Sequence, residues 1–136
     1  MDFGTHDSVA EQLRRMWFCS VNEISDIGLQ RRTWLDATNR NPHWSYIEFI
    51  ESYPKDDQLQ HAVKQGWLSA EEFGILSELR RILVAHSPPR GDDYDNAAVL
   101  EDPAWHSVVE TAERAKQQLL SITTDQIERE MLLGTM

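Results

Sequence analysis

Five histidines, one cysteine and a short acidic run are the residues of this 136-residue chain whose types could do chemistry. His6, His43, His61, His86 and His106 would suit a metal ion, but none has a second His or Cys three or four positions on. Each therefore reads as a surface or capping histidine, with His86 helping to close the last turn of its helix. Cys19 stands among Met16, Trp17 and Phe18, so it reads as a buried thiol whose apolar setting raises its pKa. A nucleophilic serine would need a Gly-x-Ser-x-Gly elbow, which is absent, and the six glycines never cluster into a phosphate cradle. The expectation is a chain with no catalytic residues, no metal and no cofactor.

The acidic run is Gly91-Asp92-Asp93-Tyr94-Asp95. Asp93, Asp95 and Glu101 resemble a calcium loop only superficially, because Ala98 stands where that loop needs glycine and Ala104 where it needs glutamate. Partner binding suits the run better. Tyr94 is a rigid aromatic anchor, and Asp92, Asp93, Asp95 and Glu101 supply a charged rim. The alternative is a solvated connector whose aspartates start the next helical turn.

Charge is spread unevenly. The formal net charge is −10, and residues 91–136 carry most of it, with ten acids against Arg114, Lys116 and Arg129. Such a field repels nucleic acid and anionic membrane and steers cationic protein partners inward. Arg31 and Arg32 beside Trp34 read as a solvated pair flanking a core tryptophan rather than as a nucleic-acid contact. The first residues form no secretory leader, and no run approaches the roughly 18 apolar residues of a membrane span. A cytosolic protein is expected. Five tryptophans and 40% apolar residues in a chain of this length predict one folded domain with a single core.

The elements that must position these residues are all helical. Ser8-Val9-Ala10-Glu11 has the form of a capping box opening a first helix, with Val9, Leu13, Met16, Trp17 and Val21 inward and Arg14 and Arg15 outward. Ser25-Asp26-Ile27-Gly28 punctuates the chain, and Arg31 to Leu35 reads as a helical turn or, alternatively, a small edge hairpin. Asn41 and Pro42 look like cap and first residue of a helix ending at Pro54. Asp56 or Asp57 caps the next helix, and Gly66 closes it. Ser69 and Glu72 form a second capping box ahead of Phe73, Leu76, Leu79 and Leu83, the expected central helix. Asp95 caps a single turn. Asp102 and Pro103 then open the longest apolar stripe, Trp105, Val108, Val109, Ala112, Ala115 and Leu119, with Glu110 and Arg114 paired along it. A last segment carries Ile127, Met131 and Leu132.

The pattern predicts an all-α, bundle-like single domain of five to seven helices over residues 1–136, with residues 1–7 and 123–136 peripheral. Two segments carry a resemblance: Asn41-Pro-His-Trp-Ser-Tyr-Ile-Glu-Phe-Ile-Glu-Ser-Tyr-Pro54, and Asp92-Asp-Tyr-Asp-Asn-Ala-Ala-Val-Leu-Glu-Asp-Pro-Ala-Trp105. With the hairpin between them they resemble small uncharacterised bacterial helical proteins, some of which are similar to immunity proteins of polymorphic or contact-dependent toxin systems. The resemblance spans roughly residues 34–120. It implies a cytosolic protein that binds a cognate toxin domain and blocks its active site or substrate path, and the acidic charge suits a basic toxin such as a nuclease. A different expectation is a structural or adaptor domain that self-associates through Met131 and Leu132 or an exposed tryptophan.

Overall fold

The computed structural model describes residues 5–135, with side chains from residue 9 onward. His6, one of the five histidines, therefore lies outside the described side chains. Eight helices form: α1 (Thr5–Ser25), α2 (Ile27–Trp34), α3 (Tyr46–Ser52), α4 (Asp56–Lys64), α5 (Ala70–Ala85), α6 (Asn96–Leu100), α7 (Pro103–Ile122) and α8 (Gln126–Leu133). Of these α6 is the single expected turn, and no strand occurs among the described residues. The all-α expectation holds, and Arg31 to Leu35 belongs to a helix end rather than to a hairpin.

α7 forms as its sequence dictates. Asp102 Oδ1 accepts from Ala104 N at 3.0 Å, Pro103 occupies the first helical position, and the entire stripe from Trp105 to Leu119 is buried. Its end is equally local: Thr123 Oγ1 donates to Leu119 O at 2.6 Å, and Arg129 Nη1 donates to the Leu120 and Thr123 carbonyls that the helix leaves open. α1 packs on α7 and α8, and α5 packs on α7 and α4. Each large side chain sealed between them, such as Phe18, Leu76, Leu83 or Leu119, stabilises the fold by about 1.5–3 kcal/mol. Between α4 and α5 the chain reverses through Gly66, whose φ of 76° lies in the left-handed region. Trp67 N donates to Ala62 O at 2.8 Å and Gly66 N to Val63 O at 3.0 Å, the paired bonds of a Schellman turn.

Several expectations give way to the structure. α1 already runs from Thr5, so Ser8 lies within the helix and does not cap it. Its buried face is also turned from the expected one. Met16 is exposed, whereas Phe18 and Ile24 are buried and Arg14 points inward. All five N–H donors of Arg14 are used: Nε and Nη2 bond Glu128 at 2.8 and 2.9 Å, Nη1 and Nη2 bond Glu72 at 2.8 and 2.7 Å, and Nη1 bonds Trp67 O at 2.8 Å. The guanidinium is held well above the ordinary arginine range by these bonds to Glu128 and Glu72. A periodicity reading sends arginine to solvent because it prices the charge and ignores a partner 114 residues away.

The helix after Pro42 starts late. Ser45, not Asn41, is the cap of α3, while Asn41 Oδ1 accepts from His43 N at 3.0 Å and makes a preceding turn. Lys55 stands at the cap position of α4, where its N–H donates to Gln58 Oε1 at 2.8 Å; Asp56 and Asp57 fall inside the first turn. The Glu110 pairing is absent, since Arg114 donates to Thr111 Oγ1 at 3.2 Å instead. α8 is not peripheral: Leu132 is fully buried and Glu128 holds Arg14.

Candidate acidic loop and adjoining groove

The acidic loop is built from short-range bonds. A 3-10 turn over Pro89–Gly91 brings the chain round through two left-handed residues, Arg90 (φ 56°) and Gly91 (φ 68°). Asp92 Oδ1 then accepts from Tyr94 N at 2.9 Å, and Asp95 Oδ1 caps α6 by accepting from Ala98 N at 3.1 Å. With its backbone pinned on both sides, Tyr94 projects outward at 80% exposure. Asp92 and Asp93 are exposed beside it. Asp95 is committed elsewhere, because its Oδ2 receives Arg90 Nη2. Glu101 is exposed at the far end of α6 and does not join the surface around Tyr94.

That surface is one wall of an open groove of about 430 Å³. The opposite wall is the chain between α2 and α3 with the first turn of α3: Asp36, Asn41, Trp44 and Glu48 line it along with Trp34. The two walls are tied together by one bond, Asn96 Oδ1 accepting from Tyr46 N at 3.0 Å. Asp36 Oδ1 accepts from Thr38 Oγ1 at 2.6 Å and from Thr38 N at 2.9 Å, which holds its carboxyl below the usual range. Trp34 is 6% exposed, lines the groove, and carries a buried indole N–H that meets no acceptor among the described residues.

Beneath the groove lies a set of polar bonds invisible in the sequence. His86 Nε2 lies 2.9 Å from Asp102 Oδ2, and His86 Nδ1 lies 2.8 Å from the Tyr46 hydroxyl. A carboxylate only accepts, so in the neutral ring Nε2 carries the proton and Nδ1 accepts from Tyr46. Burial, with Asp93 and Asp102 adding, pushes the Tyr46 phenol to about 12. Burial pulls the Asp102 carboxyl up, but the His86 and Ala104 bonds outweigh it and hold the group below its ordinary value. His86 and Tyr46 are buried in this Asp-His-Tyr chain, while Asp102 reaches the surface with its side chain 17% exposed, and the chain joins α5 to α3 and α7. Trp105 completes the layer: its ring lies 5.3 Å from both Tyr46 and His86, and Nε1 donates to Gln30 Oε1 at 2.9 Å.

The remaining candidates do not assemble into a reacting centre. Cys19 is half-buried, and burial, with Glu23 adding, pushes its thiol to about 11, away from the nucleophilic thiolate. His43 Nε2 donates to Glu23 Oε1 at 2.8 Å, and His106 Nε2 to Leu100 O at 2.6 Å. His61 packs its ring 5.4 Å from Trp67. Among the described residues no three His, Cys, Asp or Glu side chains gather as metal donors, and no helix is long and apolar enough to cross a membrane. Of the residues named for self-association, Leu132 is buried, Met131 is part-buried and lines an open pocket beside Met16, and Trp44 and Trp67 are part-buried. The chain matches no family model, no curated protein and no solved structure.

Proposed function

We propose that this chain is a cytosolic binding protein of immunity type, which captures a basic toxin domain through the loop carrying Tyr94 and keeps that domain from its substrate. The observation that carries the reading is Tyr94 itself, an aromatic side chain 80% exposed beside the exposed carboxylates of Asp92 and Asp93 on a backbone that local bonds hold in place. A large exposed aromatic ring costs solubility unless something covers it, and a pinned loop loses little entropy when it docks. The acidic last third of the sequence supplies the matching field: toxins that attack nucleic acid need a cationic surface, which carboxylates can occupy in place of phosphate.

The test takes as partner a basic toxin domain encoded beside the gene for this chain. Asp93→Lys combined with Tyr94→Ala should weaken its affinity by about tenfold or more and leave the melting temperature nearly unchanged. Asp95 is kept, because it caps α6 and its loss would confuse folding with binding. Unchanged affinity at low salt would overturn the assignment of the loop.

A further inference from the structure

Tyr94 is not alone on its surface. Trp44 and the edge of Trp34 line the same groove, with Ile47 between them and the carboxylates of Asp36 and Glu48 alongside. Arg40 is the single base in that lining. Asp92 and Asp93 flank Tyr94 at the rim, so the groove and its margin are acidic in sum. Aromatic faces with carboxylates beside them attract a delocalised cation, since the ring quadrupole and the negative charge act in the same direction. The Trp34 indole N–H is itself buried and has no acceptor among the described residues.

We propose that the groove between Trp44 and Tyr94 receives an arginine-bearing segment of the partner, the guanidinium lying among Trp44, Tyr94 and Glu48. The proposal rests on the immunity reading for the source of the segment, and the chemistry of the groove can be tested without it. Arginine fits better than lysine because its planar group stacks on indole and phenol while its edge donates to a carboxylate.

The probe is the peptide acetyl-Gly-Arg-Gly-amide, titrated at millimolar concentration into the intact 15N-labelled protein, with the five indole N–H resonances followed by NMR. The Trp34 and Trp44 signals should shift saturably, whereas Trp105, whose N–H is already bonded to Gln30, should not. Glu48→Gln should weaken the titration about threefold, and acetyl-Gly-Glu-Gly-amide should give no saturable shift. Absence of the Trp34 and Trp44 shifts, or equal shifts with the glutamate peptide, overturns the groove assignment. Arginine-peptide shifts in a protein whose toxin affinity ignores Tyr94 support the groove and overturn the immunity reading instead.

Discussion

Arg14 ties three distant parts of this fold together. Its guanidinium is surrounded by Glu72, Glu128 and the Trp67 carbonyl, so removing it strands two buried carboxylates. Arg14→Met should cost about 3–5 kcal/mol in chemical denaturation, and replacing Arg14, Glu72 and Glu128 together by apolar residues should cost far less. The pH dependence follows from Glu72. Burial raises its carboxyl, but the bonds to Arg14 and Ser69 prevail and hold it below the ordinary 4.5. A depressed folded value means that the stabilisation is complete above pH 4.5 and is lost as pH falls through the lower folded value. Glu72→Gln should therefore destabilise at neutral pH and flatten the acid limb of a stability-against-pH curve. Trp105 obeys simpler physics: fully buried and bonded to Gln30, it should cost about 3–5 kcal/mol on replacement by alanine, read by thermal or urea unfolding.

Among the elements, α8 separates local from distant causes. Its cap at Asp125, bonded to Glu128 N at 2.9 Å, and its left-handed Gly134 are both written in neighbouring residues. Its docking is not, because Leu132 and Glu128 find their places only against α1. A chain ending at Ile122 should lose several degrees of melting temperature by calorimetry, and its sedimentation should keep the oligomeric state of the full chain. The same division explains what the sequence made legible. Asp102, Pro103 and the stripe to Leu119 are read correctly because cap and periodicity act within a few residues. Arg14 is misread because its partners lie 58 and 114 residues away. The groove wall is missed for a related reason: Trp44 looks like the head of a helix until Ser45 is seen to cap it, which leaves Asn41, Pro42, Trp44 and Ser45 lining the groove with Tyr94. The acidic loop itself is plain in the sequence. The cap that Asp95 makes on Ala98 is legible too, but its tie to Arg90 and the separation of Glu101 are not, since both depend on which way α6 runs.

For the whole molecule, the charge is a long-range property and the core a short-range one, and the two are tested differently. A net charge of −10 should make capture of a basic partner fast at low salt, with the association rate falling about tenfold or more toward physiological ionic strength while the dissociation rate changes little. Stopped-flow mixing measures both. Trp34 belongs to both domains of this physics. It lines the open groove, yet its ring also lies 5.9 Å from that of Trp105 at a tilt of 41° in the sealed interior. Two indoles so close and so inclined couple their electronic transitions, and the resulting near-ultraviolet circular dichroism depends on their mutual orientation. An occupant that turns the Trp34 ring should therefore change that dichroism, a readout in the core of an event at the surface.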